Sequence, residues 1–383
     1  MINILINALG VEDSGGLTIL QNTIDELSLD SDNIYEVLVY EGKYINDLIN
    51  KSDSYVNINF IIIANHGNSI RIFYENFILP FYVRRNHFNL IYNMTGTGQP
   101  LINSPSLVKV QNLLFFSKTL DSIYFKKNLR ILWFKQVYLK RIIFLFLMKF
   151  SRNIEVQSSH VIDELSNFIN IKNKTFYIKN DFPISKSMFF DPKKYNFNNE
   201  IIFLYVVGPH FMRVHKNIED FVKAMSTLTN HNIKFHIKIT LTSDELALSG
   251  LWDKKLNKVT TFLGYVDNKE SLQGLYDDNV VLISTSIIET LGLHVIEAVI
   301  NGILVIVPNE SYSVKVYGNK ILTYNLFNYL SLIETINIMK KYNNADCQKS
   351  IVNNQDYLFR NASDKYSKSH HIFNDLLKKE PNV

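Results

Sequence analysis

The chain has 383 residues, of which 46% are hydrophobic and 20% are charged. This length accommodates two domains of ordinary size, and this composition excludes a disordered chain. The single cysteine, Cys347, excludes an intrachain disulfide and fits a reducing compartment. The net charge is only +4, but nine Lys or Arg and one acid, Asp121, fall between Lys118 and Arg152, so this segment holds the whole basic excess.

The first apolar run of the chain predicts a β-strand and not a signal peptide, and no run reaches the ~18 apolar residues of a membrane span. Further apolar runs follow through the first half, with helical patterns at 17–27 and 161–169. The strand candidates are INILINAL, YEVLVY, INFIIIAN, FNLIYNM and LVKVQNLLFF. Alternating strands and helices predict a mainly parallel sheet with helices on both faces.

The pattern breaks at residues 181–200, where two prolines and several asparagines predict a linker. It then restarts with IIFLYVVG, a helix at 218–228, KFHIKIT, VTTFLGYV and VVLISTS. We therefore predict an α/β protein with two doubly wound, Rossmann-like domains that face each other across a cleft, followed by C-terminal helices. The predicted boundaries are an N-terminal domain at 1–182, a linker at 183–199, a C-terminal domain at 200–355 and a helical tail at 356–383.

The segment IIETLGLHVIEAVINGILVIVPN, residues 287–309, carries two carboxylates in an otherwise apolar strand–helix–strand unit. A helix is predicted at 293–301, and its apolar circumference indicates burial, so Glu297 within it is costly unless it is paired. Glu289 precedes this helix, whose N-terminus favours phosphate, and Gly292 lets a ligand approach the backbone. A sugar nucleotide would use all of these features. A capping acid and a buried ion pair are the structural alternative.

This segment resembles the Glu-x7-Glu motif of retaining GT-B glycosyltransferases, in particular glycosyltransferase family 4 (glycosyl transferases group 1). The likeness in order and spacing covers residues 200–310 well and the first half more loosely. The resemblance implies that Glu289 contacts the donor sugar and that Glu297 binds the ribose. It also implies that the loop backbone at Gly292 and Leu293 holds the diphosphate of the donor.

Three positions in and next to this segment depart from the family pattern. The chain has Thr290-Leu291-Gly292 where the family often has Gly-Phe-Gly, and Thr285 stands where a proline is common. Neither change removes a charged group. Ser286, where the preceding strand ends, is a further candidate for donor binding.

The turn after the first strand of the second domain, VVGPHFMRVHKN, supplies two cations, Arg213 and Lys216. A departing diphosphate needs positive charge close to it. The turn resembles the Arg-x-x-Lys-Asn pattern of the family, which implies that Arg213 and Lys216 grip the diphosphate. Many relatives carry Gly-Arg directly after the strand, where this chain has Gly208-Pro209. The alternative is a pair of solvated surface cations.

Three more positions are candidates by the same resemblance or by place. Gly15 and Gly16, between the first strand and its helix, match a Gly-rich loop that closes on the phosphates and the acceptor, although an ordinary turn is the alternative. Tyr265 matches a position that borders the nucleotide base. His66 follows a strand and can face the cleft, but a lone histidine is more often structural.

Several familiar motifs are missing from the sequence. No Gly-x-Gly-x-x-Gly follows the first strand, no Walker lysine follows Gly16, and no His-Glu-x-x-His occurs. Asp30-Ser31-Asp32 imitates the Asp-x-Asp metal motif of the other large transferase fold, but it lies in a polar turn and is interpreted as solvated. We therefore expect neither a metal nor a cofactor.

The basic segment contains KKNLRILWFKQVYLKRIIFLFLMKFSR, residues 126–152, in which cations alternate with aromatic side chains. Apolar residues at 129, 132, 133 and 137 follow helical spacing. Such a helix suits an anionic membrane surface, so we expect membrane contact through 118–152. The alternative is a core helix with a charged outer face. Nucleic-acid binding is not expected, because no recognition motif accompanies the charge.

Taken with the resemblance, these residues predict a glycosyltransferase that uses a nucleoside diphosphate sugar. The acceptor is expected to be a glycan on a polyprenyl diphosphate, in bacterial O-antigen, capsule or lipopolysaccharide synthesis, and the protein to be cytoplasmic and peripheral on the inner face of the membrane. The resemblance implies retention, in which the leaving diphosphate takes the acceptor proton and no protein nucleophile is needed. The alternatives are another GT-B enzyme, such as a nucleotide-sugar epimerase, and a non-catalytic glycosyltransferase-like subunit.

Overall fold

A computed structural model describes residues 2–11, 14–52, 55–64, 67–179, 181–182, 184–208, 210–231, 233–266, 269–363, 366 and 368–379. The strands are β1 (Ile2–Asn7), β2 (Asn33–Tyr40), β3 (Ile58–Ile63), β4 (Leu90–Asn93), β5 (Ser106–Val110), β6 (Asn153–Val156), β7 (Thr175–Ile178), β8 (Ile201–Tyr205), β9 (Phe235–Ile239), β10 (Thr260–Phe262), β11 (Val280–Ile283), β12 (Leu304–Pro308) and β13 (Leu322–Tyr324).

The helices alternate with these strands. They are α1 (Ser14–Leu27), α2 (Lys43–Ser52), α3 (Asn68–Phe73), α4 (Leu79–Asn86), α5 (Lys118–Lys126), α6 (Arg130–Trp133), α7 (Leu139–Met148), α8 (Ser159–Ser166), α9 (Ile218–Leu228), α10 (Ser243–Ser249), α11 (Lys269–Gln273), α12 (Leu293–Ile300), α13 (Ser311–Tyr317), α14 (Tyr329–Met339), α15 (Asn344–Ser363) and α16 (Ser369–Lys379).

The chain forms two compact units. Unit 1 comprises residues 1–117, 127–183 and 363–383, and unit 2 comprises residues 118–126 and 184–362. Each unit has its own parallel sheet, and every described strand pair is parallel. Two helices therefore belong to a different unit from their neighbours in sequence. Helix α5 lies between two segments of unit 1 but belongs to unit 2, and α16 follows unit 2 but belongs to unit 1.

Unit 1 is built on a seven-stranded sheet in the order β3-β2-β1-β4-β5-β6-β7. Its interior strand β1 is apolar on both faces, as expected for a parallel sheet covered by helices on both sides. Alternate residues of β1 show this, because Ile4 and Ile6 join a core with α1 and α16, whereas Leu5 joins a core with Leu79 and Val83 of α4. The order of the strands reverses between β1 and β4.

Two long helices of unit 1 contain a π-helical turn. Residues 74–78 join α3 to α4, and residues 134–138 join α6 to α7, so that continuous helices run over 68–86 and 130–148. The helix predicted for the basic segment is confirmed over 130–148. We refer to these two segments as the 68–86 helix and the 130–148 helix.

Unit 2 is built on a six-stranded sheet in the order β10-β9-β8-β11-β12-β13. The strand order reverses between β8 and β11. Its core is formed by apolar residues of β8, β9, β11 and β12 together with helices α9 and α14. Helix α9 spans the residues predicted from the sequence, and α12 ends one residue before the predicted end at Asn301.

The α/β class with two Rossmann-like units agrees with the prediction. One local detail differs. Gly15 and Gly16 were expected in the loop after the first strand, but both lie in the first turn of α1. The two glycines are followed by a strong helical pattern, and the helix extends back across them to Ser14.

Candidate functional site

The candidate site lies at the carboxyl ends of β8 and β11, where the strand order of unit 2 reverses. Ligands of open parallel sheets bind at this kind of switch point, because the two flanking loops diverge there and leave a crevice. A pocket occupies this position. Its lining residues are Tyr205, Val206, Val207, Gly208, Lys216, Ser284, Thr285, Ser286 and His294.

Lys216, which lines this pocket, forms an ion pair with Glu289. Lys216 Nζ donates to Glu289 Oε1 at 2.7 Å, with side chains that are 24% and 17% exposed. Burial alone would raise the pKa of Glu289, but Lys216 and His294 outweigh it and bring the pKa to about 2. The carboxylate is therefore ionised at neutral pH, and the pair presents a fixed cation and a fixed anion to a polar ligand.

His294 adds a neutral polar group to the pocket. Its Nε2 shares a hydrogen bond with Ser284 Oγ at 3.0 Å. Burial lowers the pKa of His294 to about 4, although Glu289 opposes this shift. The imidazole is therefore uncharged at neutral pH and can donate or accept one further hydrogen bond. The sequence analysis did not single out His294, although a polar residue in the first turn of an apolar helix was a usable signal.

The turn that carries Lys216 is tied to the loop after β11. Thr285 Oγ1 donates to the Lys216 carbonyl at 2.8 Å, and the Tyr205 hydroxyl lies 2.7 Å from Thr285 Oγ1. The Ile287 amide donates to the His215 carbonyl at 2.7 Å. Thr285 is therefore a structural link between the two strand ends that form the pocket.

Helix α12 begins beside this ion pair. Gly292 precedes it with φ of 61°, a left-handed conformation, and a Cβ at this position would lie 2.0 Å from the Tyr317 hydroxyl oxygen. Leu293 is the first helical residue. The first N–H groups of a helix have no partner within the helix and carry a partial positive charge, so this end suits a phosphate.

The other predicted donor residues are less closely associated with the pocket. Ser286 lines it, but Arg213, Tyr265 and Glu297 do not. Arg213 is exposed at the start of the turn that ends in Lys216, and its charge acts on His215. Tyr265 is 64% exposed in the loop after β10. Glu297 is half-buried on α12, where its charge acts on Tyr276.

The predictions that concern unit 1 and metals have mixed outcomes. Gly15 and Gly16 belong to unit 1 and are described there. His66 lies outside the described residues. Asp30 does not stand as a free metal ligand, because its Oδ2 accepts hydrogen bonds from Asn33 at 2.8 Å and from Tyr35 at 2.5 Å. In the part of the chain that the structure describes, no group of three or more His, Cys, Asp or Glu residues is placed to hold a metal ion.

The 130–148 helix exposes many apolar side chains. Among its residues only Val137, Arg141, Leu147 and Met148 are buried. Exposed apolar residues on and next to the helix are Ile131, Leu132, Phe134, Tyr138, Leu139, Ile142, Ile143, Phe146 and Phe150. The helix therefore has one buried side and an outer surface that carries both charged and apolar side chains. Across the described ranges, no helix is both long enough and apolar enough to cross a membrane.

Comparison with known proteins gives a partial family match and a clear fold match. Residues 188–321 match the family described as glycosyl transferases group 1. A search of curated proteins by sequence gives no match. The matched region contains the pocket, the ion pair and α12.

Three solved structures are similar over nearly all of their length. A sucrose-phosphate synthase from Thermosynechococcus elongatus has a TM-score of 0.68 at 15% identity, over 99% of this chain and 100% of that one. HepE from Anabaena, in complex with UDP and glucose, has a TM-score of 0.63 at 12% identity, over 100% of both chains. The lipopolysaccharide outer core galactosyltransferase WaaB has a TM-score of 0.60 at 13% identity, over 99% of this chain and 100% of that one. These likenesses show a GT-B fold.

Proposed function

We propose that this chain is a glycosyltransferase that moves a sugar from a nucleoside diphosphate sugar to a glycan acceptor. One observation carries the proposal: the Lys216–Glu289 ion pair borders a pocket at the switch point of unit 2, next to the N-terminus of α12. A phosphate needs a cation and free amide groups, and a sugar needs a carboxylate that accepts from its hydroxyl groups. The match of residues 188–321 to glycosyl transferases group 1 supports the same activity.

In this mechanism the diphosphate of the donor rests on the amides at Gly292 and Leu293. Lys216 and Arg213 stabilise the negative charge that develops as the diphosphate leaves. Glu289 orients the sugar, while Glu297 holds the ribose. Tyr265 borders the base.

We further propose that the sugar is transferred with retention of its anomeric configuration, as in glycosyltransferase family 4. The leaving diphosphate takes the proton of the acceptor hydroxyl on the same face of the sugar. No protein nucleophile is then required. Analysis of the product by proton NMR, from its anomeric coupling constant, checks the stereochemistry.

The acceptor in this proposal is lipid-linked, and the protein binds the cytoplasmic face of an anionic membrane through the segment 118–152. Two observations support this. The 130–148 helix exposes its apolar side chains, and exposed cations at 126, 127, 130, 135, 140 and 149 lie on and around it. Similarity to WaaB, a lipopolysaccharide outer core enzyme by name, favours a role in O-antigen, capsule or lipopolysaccharide synthesis.

Calorimetric titration of the full chain with UDP, GDP and dTDP tests the donor site. We expect one of the three to bind, and Lys216→Ala to weaken it about 10- to 100-fold, since a charge-assisted hydrogen bond is lost. Lys223→Ala is the matched control, because Lys223 forms an exposed pair with Glu219 at 2.8 Å on the neighbouring helix α9. Equal binding by wild type, Lys216→Ala and Glu289→Ala would contradict the assignment.

A further inference from the structure

The loop between β11 and α12 contacts Lys216 at both ends of the residue. Thr285 Oγ1 donates to the Lys216 carbonyl at 2.8 Å, and Glu289 Oε1 accepts from Lys216 Nζ at 2.7 Å. The loop is held in turn by the Tyr312 hydroxyl, which donates to the Ser286 carbonyl. Because the backbone of Lys216 is fixed, its long side chain reaches Glu289 from a fixed origin.

Two buried hydroxyl groups form a directed chain that ends on this carbonyl. The Tyr205 hydroxyl oxygen lies 2.7 Å from Thr285 Oγ1, and both side chains are almost completely buried. Thr285 has a single proton and donates it to Lys216, so Tyr205 must donate to Thr285. Burial raises the pKa of Tyr205, which therefore keeps its proton and remains a donor at neutral pH. Each hydrogen bond in such a chain polarises and strengthens the next.

The residue after Lys216 is also held in place. Asn217 has φ of 46° and ψ of 39°, a left-handed conformation that is uncommon outside glycine. Its Nδ2 donates to Asp220 Oδ2 at 2.7 Å, and the same oxygen accepts from the Phe327 amide at 2.8 Å. An uncommon backbone conformation persists only where surrounding contacts maintain it. Hydrogen bonds on both sides of Lys216 therefore determine where its side chain begins.

We propose that Tyr205 and Thr285 are positioning residues, which hold the Lys216 backbone so that its ammonium group stands against Glu289 before a ligand binds. Both hydroxyl groups act through Lys216 and not on the ligand. A cation that is already in place needs no rearrangement when negative charge develops beside it. The benefit to sugar transfer rests on the proposed function, but the effect of the two hydroxyl groups on the ion pair does not.

The first measurement needs no ligand. Thr285→Val removes the hydroxyl and keeps the branched shape, whereas Thr285→Ser keeps the hydroxyl. The coupling between Lys216 and Glu289 is obtained from a double-mutant cycle with Lys216→Met and Glu289→Gln, by urea unfolding of the full chain. Fluorescence of Trp252 in a Trp133→Phe chain reports on unit 2. We expect Thr285→Val to reduce the coupling by about half or more, and Thr285→Ser to preserve it.

The second measurement is calorimetric binding of UDP, GDP or dTDP. We expect Thr285→Val to weaken binding about 10-fold, Tyr205→Phe to weaken it less, and Thr285→Ser to restore it. In a Lys216→Ala chain, Thr285→Val should have no further effect, since the residue through which it acts is gone. Thr335→Val is the matched control, because this buried threonine of α14 donates to the Thr323 carbonyl at 2.9 Å and does not line the pocket.

Three outcomes would overturn the positioning role: no coupling in the wild-type chain, a coupling that Thr285→Val leaves unchanged, or an equal loss in Thr285→Ser. If Thr285→Val does not fold, Tyr205→Phe provides the same test with a smaller effect, because it keeps the ring packed against Phe221 with centroids 4.3 Å apart. The proposed function is judged separately. A coupling that depends on Thr285 in a chain that binds no nucleoside diphosphate would keep the positioning role and remove the function.

Discussion

Gly292 is required by its surroundings as well as by its backbone angle. A side chain at φ of 61° is strained, and a Cβ there would lie 2.0 Å from the Tyr317 hydroxyl oxygen but 3.3 Å from Tyr317 Cζ. Tyr317 is fully buried and cannot move aside freely. We expect Gly292→Ala to lower the free energy of unfolding of unit 2 by about 2–4 kcal/mol, measured by chemical denaturation.

Removal of the hydroxyl group separates the two causes of this loss. In a Tyr317→Phe background the substitution Gly292→Ala should be less damaging, by about 1–2 kcal/mol, since the clash is relieved and only the backbone strain persists. Tyr317→Phe alone should be nearly neutral, because its buried hydroxyl has no hydrogen-bond partner among the described residues. Equal losses in both backgrounds would show that the side chains do not clash.

His294 makes stability depend on pH in a defined window. Its pKa is about 4 in the folded chain and 6.5 when unperturbed, so between these values the unfolded chain binds a proton that the folded chain does not. Stability is therefore complete above pH 6.5 and falls as the pH drops towards 4. Between pH 7 and pH 5, the free energy of unfolding of His294→Gln should fall by about 1–2 kcal/mol less than that of wild type. Urea unfolding at the two pH values measures the difference.

The exposed residue His231 provides the control for this pH effect. His231→Gln should leave the pH dependence unchanged. The pKa of Glu289 is about 2, against 4.5 for a free glutamate. Its contribution to the free energy of unfolding is therefore lost only at lower pH, between 4.5 and 2. A His294→Gln curve parallel to that of wild type between pH 7 and pH 5 would contradict the assignment.

Sequence reasoning identified the charged residues of the site better than its supporting contacts. Lys216 and Glu289 were found because both match motifs, and the structure joins them at 2.7 Å. The role of Thr285 could not be predicted, because its partner Lys216 is 69 residues away and the link runs through a backbone carbonyl. Arg213 also matches a motif, but it does not line the pocket. The direction of a side chain depends on packing, which the spacing of a motif does not determine.

At the scale of elements, the 68–86 helix and the 130–148 helix share two properties. Each contains a π-helical turn, and each exposes an apolar stripe, with Phe73, Phe77 and Phe81 in the first. Periodicity predicted that 130–148 is helical. It could not predict that its apolar residues are exposed, because a stripe at helical spacing looks the same whether it faces a core or solvent.

The proposed membrane contact can be tested on the 130–148 helix. Arg141 is buried, and its Nε donates to the Phe115 carbonyl at 2.5 Å, so it belongs to the fold and not to the membrane surface. Neutralising the exposed lysines at 126, 127, 135 and 140 should abolish binding to anionic vesicles at low salt, since each contributes about 1 kcal/mol near such a surface. Vesicle co-sedimentation at matched ionic strength measures the effect.

Apolar insertion is tested on the same helix. Ile142→Ser with Phe146→Ser removes side chains that are 48% and 54% exposed, and should reduce the vesicle binding that persists at high salt. Leu248→Ser, at an 87% exposed position in unit 2, is the control. Vesicle binding that is unchanged in both the lysine and the serine variants would contradict the membrane proposal.

Most strands were predictable because parallel strands buried on both faces are continuous apolar runs. The strands that the sequence analysis did not predict, β6, β7 and β13, have only three or four residues each. In β6 the run is further interrupted by Glu155, which pairs with Lys109 of β5 at 2.5 Å inside the sheet. The charged residue of this buried pair makes the short strand β6 look polar when it is read alone.

At the scale of the whole molecule, the chain does not divide into units at a single point. Helix α5 leaves the sequence of unit 1 to pack in unit 2, near the turn at 214–216. Helix α16 returns from the far end of the chain to unit 1. Neither exchange leaves a local pattern, because composition and periodicity describe a helix but not the sheet on which it packs.

Helix α16 completes the core of unit 1. Ile372, Phe373 and Leu376 are buried with residues of α1 and β1, and the Phe373 ring meets the Tyr92 ring edge-on, with centroids 5.2 Å apart. The Ser369 amide also donates to Glu26, near the end of α1. Because Phe373 is almost completely buried, Phe373→Ala should destabilise unit 1 by about 3–5 kcal/mol.

The same substitution should leave the donor site intact, because the pocket and the ion pair lie in unit 2, which has a separate core. We therefore expect Phe373→Ala to lower protection from hydrogen exchange in β1 and β4 while nucleoside diphosphate binding is unchanged. His371→Ala, an exposed position on α16, serves as the control and should change neither. If protection fell equally in β8 and β11, the two units would unfold as one and the last helix would support the whole molecule.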